Sequence, residues 1–426
     1  MSDGPGANLR SGGALTSYVK TMAACVVLVP VALLFSVIGP GLLPAVLGPV
    51  VAVVAVLAAL GAAVLACAGA IVVIRFKRNA RGDMDLFLGL NRSREPAALE
   101  KTAAARKTRL RRWIARRLLG HDLVAGDLVE IRTWTEIRAT LDERGCLGQL
   151  PFMPEMLAKC GQRAHVFRCM HRLFDYRKTR RMRHMDGAVL LVGAVCDGSG
   201  HGGCEAACHT LWKSAWLRRV EPGEAAADSS ASDRPVPQTD VAVLQFGTRA
   251  PRYTCQLTQL HAASKPIRSE GIAHFLRPLV SGNVAPAAFI VGWLTHLFNE
   301  VQHLRQGVSF PAFEAVQEGS GSEMTRLEPG DQVVVRPPAE IRATLNDQSL
   351  NRGLYFEPDM LKHCGHRYCV QSEVAKLIDI VSGEMLTMKT PAYILRDIRF
   401  SGERQLFNAQ HEPLFWRSAW LKRDGG

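Results

Sequence analysis

The sequence lacks the motifs of the best-known catalytic sites. It contains no nucleophile elbow, no phosphate-binding loop, no dinucleotide fingerprint and no His-Glu-x-x-His helix. Acidic residues are not clustered in pairs that would indicate general acid and base catalysis. The enzyme classes that depend on these motifs are not indicated, so we expect a binding or scaffold protein before an enzyme.

Charge is absent from a long segment near the N terminus. No side chain is charged between Met22 and Ile74. About 55 largely apolar residues exceed one bilayer crossing more than twofold, and glycines and prolines at 39–44 interrupt them. This pattern predicts a two-helix transmembrane hairpin over residues 20–74. A secretory signal peptide is the alternative, but its hydrophobic region would be much shorter.

Lys and Arg flank this apolar segment and are missing from its central turn. The positive-inside rule then places both ends in the cytoplasm and predicts a multi-pass protein of the inner (cytoplasmic) membrane, with residues 1–19 as a cytoplasmic tail. Residues 75–119 carry 14 Lys or Arg against 4 Asp or Glu, within a net charge of +13 for the chain. Residues 75–121 are therefore predicted to be a basic amphipathic segment beside the membrane that binds anionic lipid headgroups, and nucleic acid is not required as a partner.

The strongest internal signal is a repeat. Residues 126–219 align without a gap with residues 330–423 at a constant offset of 204 positions. Shared segments include 136–141 with 340–345, Cys160-Gly161 with Cys364-Gly365, and 212–217 with 416–421. The chain is predicted to contain two copies of one small domain.

Each copy has the pattern of a small α+β domain with about four short strands, and an SH3-like β-barrel is the preferred fold. The predicted fold class is thus an N-terminal α-helical transmembrane hairpin followed by two duplicated α+β domains. We place repeat domain 1 at 122–220, a linker at 221–240, a helical inter-repeat segment at 241–328 and repeat domain 2 at 329–424. An apolar helix over 285–305 is expected either to pack between the repeats or to lie on the membrane.

Eleven cysteines are present, and a cytoplasmic location argues against a disulfide framework. Residues 196–209 place three thiols and two imidazoles on a glycine-rich loop, which can fold back so that several side chains reach one ion. Thiolates with imidazole suit zinc or an iron–sulfur cluster. The candidate metal ligands are Cys196, His201, Cys204 and Cys208, with Cys160 as a further candidate.

Unliganded, reduced thiols are the alternative interpretation of this cluster. The spacing C-x7-C-x3-C is not a standard zinc-finger or ferredoxin spacing, and the cysteine-matched positions of the second repeat are Phe400, Asn408 and Glu412. Cys160 recurs as Cys364 without companion ligands, which also fits a small core residue. We expect zinc before an iron–sulfur cluster in the first repeat, and no metal in the second.

The start of this loop, Cys196-Asp-Gly-Ser, resembles the CDGSH iron–sulfur signature. Gly200 adds one residue before His201, and the preceding apolar segment supplies no C-x-C pair, so two ligands of that family would be missing. The combination of Pro-Glu-Met, Cys-Gly, Cys-Asp-Gly, Gly-Gly-Cys and Trp-x-x-x-Trp-Leu resembles an uncharacterised bacterial group of membrane-anchored tandem-repeat proteins. That resemblance covers about residues 126–423 and implies no known activity.

A basic turn distinguishes the first copy from the second. It is either a solvated charged turn or a weak site for a phosphate, an anionic lipid headgroup or an acidic polymer, because guanidinium groups bind oxyanions in pairs. Its candidate residues are Arg177, Lys178, Arg180, Arg181 and Arg183. The function expected from the sequence is a membrane-tethered binding or scaffold protein with a structural metal and an unknown protein partner. A membrane-associated redox or metal-dependent enzyme is the alternative.

Overall fold

The computed structural model describes residues 109–121, 123–221, 238–245, 247–267, 271–306, 325–402, 405 and 407–424. These residues belong to two compact units, one comprising 1–92 and 287–312 and the other 93–286 and 313–426. Both repeats fall within the second unit. We call residues 122–220 copy 1 and residues 329–424 copy 2.

The described residues are mainly β-strands with short helices between them. The strands are β1 (Leu128–Ile131), β2 (Cys146–Leu147), β3 (Leu150–Pro151), β4 (Arg163–Cys169), β5 (Leu173–Phe174), β6 (Met182–His184), β7 (Ala188–Val195), β8 (His209–Lys213), β9 (Leu217–Arg219), β10 (Lys265–Pro266), β11 (Gln332–Val335), β12 (Leu350–Asn351), β13 (Leu354–Tyr355), β14 (Arg367–Ile378), β15 (Met385–Arg399), β16 (Pro413–Trp416) and β17 (Leu421–Arg423). The α-helices are α1 (Arg109–Leu119), α2 (Trp134–Arg138), α3 (Gln238–Leu244), α4 (Gln256–Gln259), α5 (Gly271–Val280), α6 (Pro286–Leu304) and α7 (Pro338–Arg342). The 3₁₀ turns are Pro154–Lys159, Ser214–Trp216, Pro358–His363 and Ser418–Trp420.

Copy 1 forms a five-stranded antiparallel sheet in the order β8-β7-β4-β1-β9. Strand β4 bends so that its first residues pair with β1 and its later residues pair with β7, with a register shift between Val166 and Arg168. Copy 2 repeats this order as β16-β15-β14-β11-β17, and β14 has the same division between two partners. The aligned sequences therefore form sheets of the same topology.

Local sequence explains how the short helices begin and end. Thr133 caps α2, because its hydroxyl accepts a hydrogen bond from the N–H of Glu136 and the Glu136 carboxylate accepts one from the Thr133 N–H. Pro154 opens the following 3₁₀ turn, where a missing N–H costs nothing. Gly161 follows this turn with a φ of 79°, which a residue with a side chain rarely adopts.

An aromatic cluster fills the core of each copy. Phe152 packs edge-on against Trp216 with ring centroids 5.2 Å apart, and the matched pair Phe356 and Trp420 has the same separation. Each indole N–H donates to a threonine hydroxyl, at 3.1 Å in copy 1 and 3.0 Å in copy 2. The cores are therefore equivalent in both packing and polar contacts.

The two copies contact one another through reciprocal loops. In copy 1 the N–H of Glu205 donates to the carbonyl of Lys376, and in copy 2 the N–H of Ala409 donates to the carbonyl of Arg172. Residues 205 and 409 are matched positions, as are 172 and 376. The two hydrogen bonds are therefore related by an approximate twofold symmetry within the chain.

The fold class expected from the sequence is wrong. The edge strands β8 and β9 do not pair with each other, so the sheet of copy 1 is an open half-barrel rather than a closed SH3-like barrel. The described residues are mainly β rather than α+β, because the short helical patterns form one-turn 3₁₀ segments and five-residue helices. Local propensity was too weak there to extend a helix against the packing of the sheet.

The predicted location in the inner membrane is also corrected. Among the residues that the structure describes, no helix has both the length and the apolar character needed to cross a bilayer. The multi-pass location in the inner membrane that the apolar segment predicted is not borne out by this finding. Residues 20–74, on which the hairpin is predicted, lie outside the described residues.

The structure contains a helix in each of the two other segments with amphipathic patterns, α1 in the basic segment and α6 in the inter-repeat segment. In α1, Ala115 and Leu119 are buried and form a small cluster with Val124, whereas Trp113 is 66% exposed. Helix α6 belongs almost entirely to the first compact unit, and its Leu294 and Phe298 are buried. The proposed contacts of both segments with a membrane stay predictions.

We expect Phe356→Ala to lower the free energy of unfolding by about 3–5 kcal/mol, because it removes a fully buried ring and leaves a cavity between two tryptophans. Val381→Ala, which shortens a side chain that is 52% exposed, should cost less than about 1 kcal/mol. Urea unfolding of the full-length protein, followed by tryptophan fluorescence, measures both values. Equal losses in the two variants would contradict the assigned core.

Candidate metal site

Three side chains of copy 1 converge at the end of β7. The Sγ atom of Cys196 lies 3.2 Å from Oε1 of Glu155 and 3.4 Å from Nε2 of His201. Nδ1 of His201 lies 3.6 Å from the same glutamate oxygen. One potential ligand atom from each residue falls within 4.8 Å of the others, so this buried group could hold a metal ion.

Polar atoms in this group lack hydrogen-bond partners. Oε2 of Glu155 and Nδ1 of His201 are buried and have no partner within hydrogen-bond distance among the described residues. Buried polar atoms are normally satisfied, because an unpaired one loses its interaction with water without replacement. Carboxylate oxygen, imidazole nitrogen and thiolate sulfur are also a donor set that binds transition metals. The residues therefore fit a metal ion.

The backbone of the loop at 196–208 positions these donors. The N–H of Cys196 donates to the carbonyl of Cys208 at 2.8 Å and closes the loop. Gly198 has a φ of 75°, and a Cβ atom there would overlap the backbone carbonyl of Cys204. Glycine is thus required by both conformation and space, and the tight turn directs His201 back toward Cys196.

The other predicted ligands lie in two places. Cys204 and Cys208 line a cavity of about 170 Å³ together with the three converging residues. The Sγ of Cys204 accepts a hydrogen bond from the N–H of Ile378 in copy 2 at 3.4 Å. Cys160 ends the 3₁₀ turn and packs against the core of copy 1, as expected for a small apolar residue. The structure therefore brings Cys196 and His201 together and separates Cys160 from them.

Burial keeps most of the nearby thiols protonated in the absence of a metal. It raises the pKa of Cys196, and the adjacent carboxylate of Glu155 raises it further. Burial also raises the pKa of Cys208, to which Glu412 contributes, and that of Cys255 to about 11. Burial lowers the pKa of His209 to about 3, with a contribution from a nearby arginine. Thiols of this kind are poor nucleophiles, because the thiolate is the reactive form.

Hydrogen bonds in copy 2 satisfy the side chains at the positions that match Glu155 and His201. Asp359, which matches Glu155, accepts hydrogen bonds from the N–H and hydroxyl of Ser401, both at 2.8 Å. Gln405 matches His201, and its carbonyl oxygen accepts a hydrogen bond from the side chain of Asn408 at 2.8 Å. Hydrogen bonds to the Asp359 carboxylate and between Gln405 and Asn408 thus hold this loop, where copy 1 has potential metal ligands.

Sequence reasoning missed three residues of the site. Glu155 stands in the Pro-Glu-Met motif, and its match to Asp359 signals an acidic position in both copies. Cys255 lies in the inter-repeat segment and Glu412 in copy 2, yet both line the cavity of copy 1. No local pattern could have placed these two residues, because their position depends on how the copies pack.

The basic turn of copy 1 is built around the carboxylate of Asp175. This carboxylate accepts hydrogen bonds from the N–H groups of Arg177, Lys178 and Thr179 at 3.0–3.1 Å, and Nδ1 of His261 lies 2.7 Å from it. Burial alone would raise the pKa of Asp175, but the hydrogen bonds outweigh it and hold that pKa well below the usual value of 3.8.

The five predicted anion-binding residues have different environments. Arg183 is buried and donates to the hydroxyl and the carbonyl of Ser264 at 2.8 and 2.6 Å. Arg177 donates to the carbonyl of Val381 at 3.3 Å. The exposed members are Lys178, Arg180 and Arg181. Two of the five are therefore structural, and anion binding by the others stays a prediction.

Comparisons with known proteins do not add an assignment. No protein-family model matches the chain, and no curated protein is similar to it at a significant level. The resemblance to a tandem-repeat group therefore stays a prediction, and the function is argued below from the geometry of the site.

We expect Asp175→Asn to lower the free energy of unfolding at pH 7 by roughly 2–4 kcal/mol, because the neutral amide accepts weaker hydrogen bonds. Since the pKa of Asp175 is lowered by folding, its stabilisation is complete above about pH 4 and is lost as the pH falls further. The difference between wild type and variant in urea unfolding should shrink in that range. Asp379→Asn at the matched, half-buried position is the control and should cost less; equal losses would contradict the special role of Asp175.

Proposed function

We propose that this protein is a binding or scaffold protein in which zinc, held by Glu155, Cys196 and His201, clips the loop of copy 1 against copy 2. The observation that carries this proposal is the contrast between the copies. Hydrogen bonds satisfy the matched side chains in copy 2, whereas in copy 1 Glu155 Oε2 and His201 Nδ1 have no hydrogen-bond partner among the described residues.

Zinc fits the spacing of the donor atoms. Tetrahedral zinc with bonds of roughly 2.0–2.3 Å separates neighbouring ligand atoms by roughly 3.3–3.8 Å. Oε1 of Glu155 lies 3.2 Å from Cys196 Sγ and 3.6 Å from Nδ1 of His201, the ring nitrogen that has no hydrogen-bond partner among the described residues. A thiolate next to imidazole and carboxylate also favours zinc over calcium or magnesium, which prefer oxygen ligands.

The position of the loop supports a structural role for the ion. The backbone of Glu205 and the side chain of Cys204 both hydrogen-bond to copy 2, and the Glu205 carboxylate accepts from the N–H groups of Ala375 and Lys376 at 2.7 and 3.0 Å. An ion that fixes the start of this loop would therefore also fix the surface by which the two copies pack. The free energy of metal binding would contribute to folding.

A metal-dependent enzyme is the second candidate. It is favoured by the fact that three donors converge beside a cavity of about 170 Å³, because catalytic zinc has three protein ligands and one open position. A redox enzyme that uses a reactive thiol is less favoured, since burial raises the pKa of Cys196, Cys208 and Cys255.

We expect one zinc per chain in full-length protein purified under reducing, anaerobic conditions, and we expect Cys196→Ser to lose it. Its loss should reduce the free energy of unfolding by about 3–4 kcal/mol, as for a ligand present at 100 to 1,000 times its dissociation constant. Elemental analysis and urea unfolding with and without a chelator measure these effects. The chelator should destabilise wild type and leave Cys196→Ser unchanged.

Cys160→Ser is the matched control, because it alters a half-buried thiol of the same copy outside the converging group. It should retain the zinc. A brown protein that contains iron and sulfide would show that an iron–sulfur cluster, and not zinc, occupies the site. Absence of metal from wild type, together with no stabilisation by added zinc, would contradict the proposal. Hydrolytic activity that depends on zinc would favour the second candidate over a structural ion.

A further inference from the structure

A second cavity, of about 230 Å³, lies in copy 2 at the positions that match the metal-side cavity of copy 1. Gln410 and Glu412 line it where copy 1 has Ala206 and Cys208. Glu412, Pro413 and Phe415 line both cavities, so the two adjoin. Duplication therefore produced two equivalent cavities whose walls have diverged in chemistry.

Aromatic rings and carboxylates dominate the wall of the second cavity. The side chains of Tyr176 and Tyr355 are partly exposed to solvent, at 37% and 42%. Phe400 lies deeper, at 9% exposure. The remaining wall residues that the argument uses are Phe415, Glu357 and Glu412.

Two acidic side chains, Glu357 and Glu412, line this cavity, and burial raises the pKa of Glu412. Among the described residues that line it, none is Lys, Arg or His. Oε2 of Glu412 is buried and has no hydrogen-bond partner in the described part of the chain. Of the cations around it, Lys362 pairs with Asp359 at 3.1 Å, and Arg399 lies near Glu412 while donating to the carbonyl of Ala207 at 3.1 Å.

We infer that the second cavity binds a small alkylammonium cation. Aromatic faces attract an organic cation through their quadrupoles, most strongly where water is excluded, and the carboxylates supply the opposite charge. The cavity has several times the roughly 30 Å³ volume of one water molecule, which suits a group with several carbon atoms.

Other ligand classes fit this wall less well. An anion would meet two carboxylates without a lining cation, which is unfavourable in a partly buried site. A transition metal would find carboxylates but neither imidazole nor thiol among the described lining residues. A neutral apolar molecule would offer the buried Oε2 of Glu412 neither a donor nor an opposite charge, whereas an alkylammonium cation would supply the charge and favour the ionised carboxylate.

Titration of the full-length protein with choline chloride, followed by calorimetry, tests this inference. The control ligand is 3,3-dimethylbutan-1-ol, which has the shape of choline without its charge. We expect saturable binding of choline at least about tenfold tighter than binding of the neutral alcohol, a difference of the size expected for a desolvated cation against aromatic rings. Equal affinity for the two, or no saturable binding of choline, would overturn the assignment.

Two variants locate the binding. Glu357→Gln should weaken choline binding about tenfold through the loss of a nearby charge, and Tyr355→Ala about threefold through the loss of one exposed ring. The control Glu384→Gln removes a carboxylate that pairs with Arg252 outside this cavity and should have no effect. Circular dichroism confirms that each variant is folded. An equal loss with Glu384→Gln would show that only the net charge of the protein matters.

Phosphocholine distinguishes a free alkylammonium ligand from a lipid-type headgroup. Its phosphate would approach the carboxylates at the cavity, so we expect it to bind more weakly than choline. Tighter binding of phosphocholine would overturn the assignment to a free amine. Choline binding can be measured with and without a chelator present, so the inference and the proposed function can fail separately.

Discussion

The reciprocal backbone hydrogen bonds between the copies are the constraint on which the rest of the structure depends. Each copy must present one N–H, from Glu205 or Ala409, to a backbone carbonyl of the other copy. The loop that carries this N–H can reach across only if it folds back tightly on itself. Gly198 and Gly402 allow this turn, with φ values of 75° and 77°, because a side chain at either position would overlap the backbone six residues later.

This constraint acts on the backbone and leaves the interior of each loop free to diverge. In copy 1 the interior contains a thiol, an imidazole and the carboxylate of Glu155, and in copy 2 it contains Gln405, Asn408 and Asp359. The two solutions meet the same requirement, since buried polar atoms need partners. A metal ion would satisfy several donors at once, whereas hydrogen bonds satisfy them in pairs. Copy 2 therefore shows, within the same chain, which hydrogen bonds the matched loop of copy 1 lacks.

The sequence predicted those features that depend on local pattern or on the alignment of the copies. The apolar segment Ala188–Val195 forms β7, and the loop after it brings Cys196 near His201, as the glycine-rich pattern predicted. The α+β class and the closed barrel were wrong, because short segments do not reveal whether an edge strand finds a partner. The place of Glu412 in the site could not be predicted from the sequence, because its distance from Cys208 is set by the packing of two sheets.

Glu412 connects the two cavities, and this has an energetic consequence. The thiol of Cys208 hydrogen-bonds to this carboxylate, which burial shifts to a higher pKa and which also lines the wall of copy 2. A metal that recruited Cys208 as a further ligand would remove that donor and place a thiolate beside the carboxylate. The electrostatic field in the cavity of copy 2 would then change. Because coupling between two binding sites is reciprocal, any effect of zinc on cation affinity must equal the effect of the cation on zinc affinity.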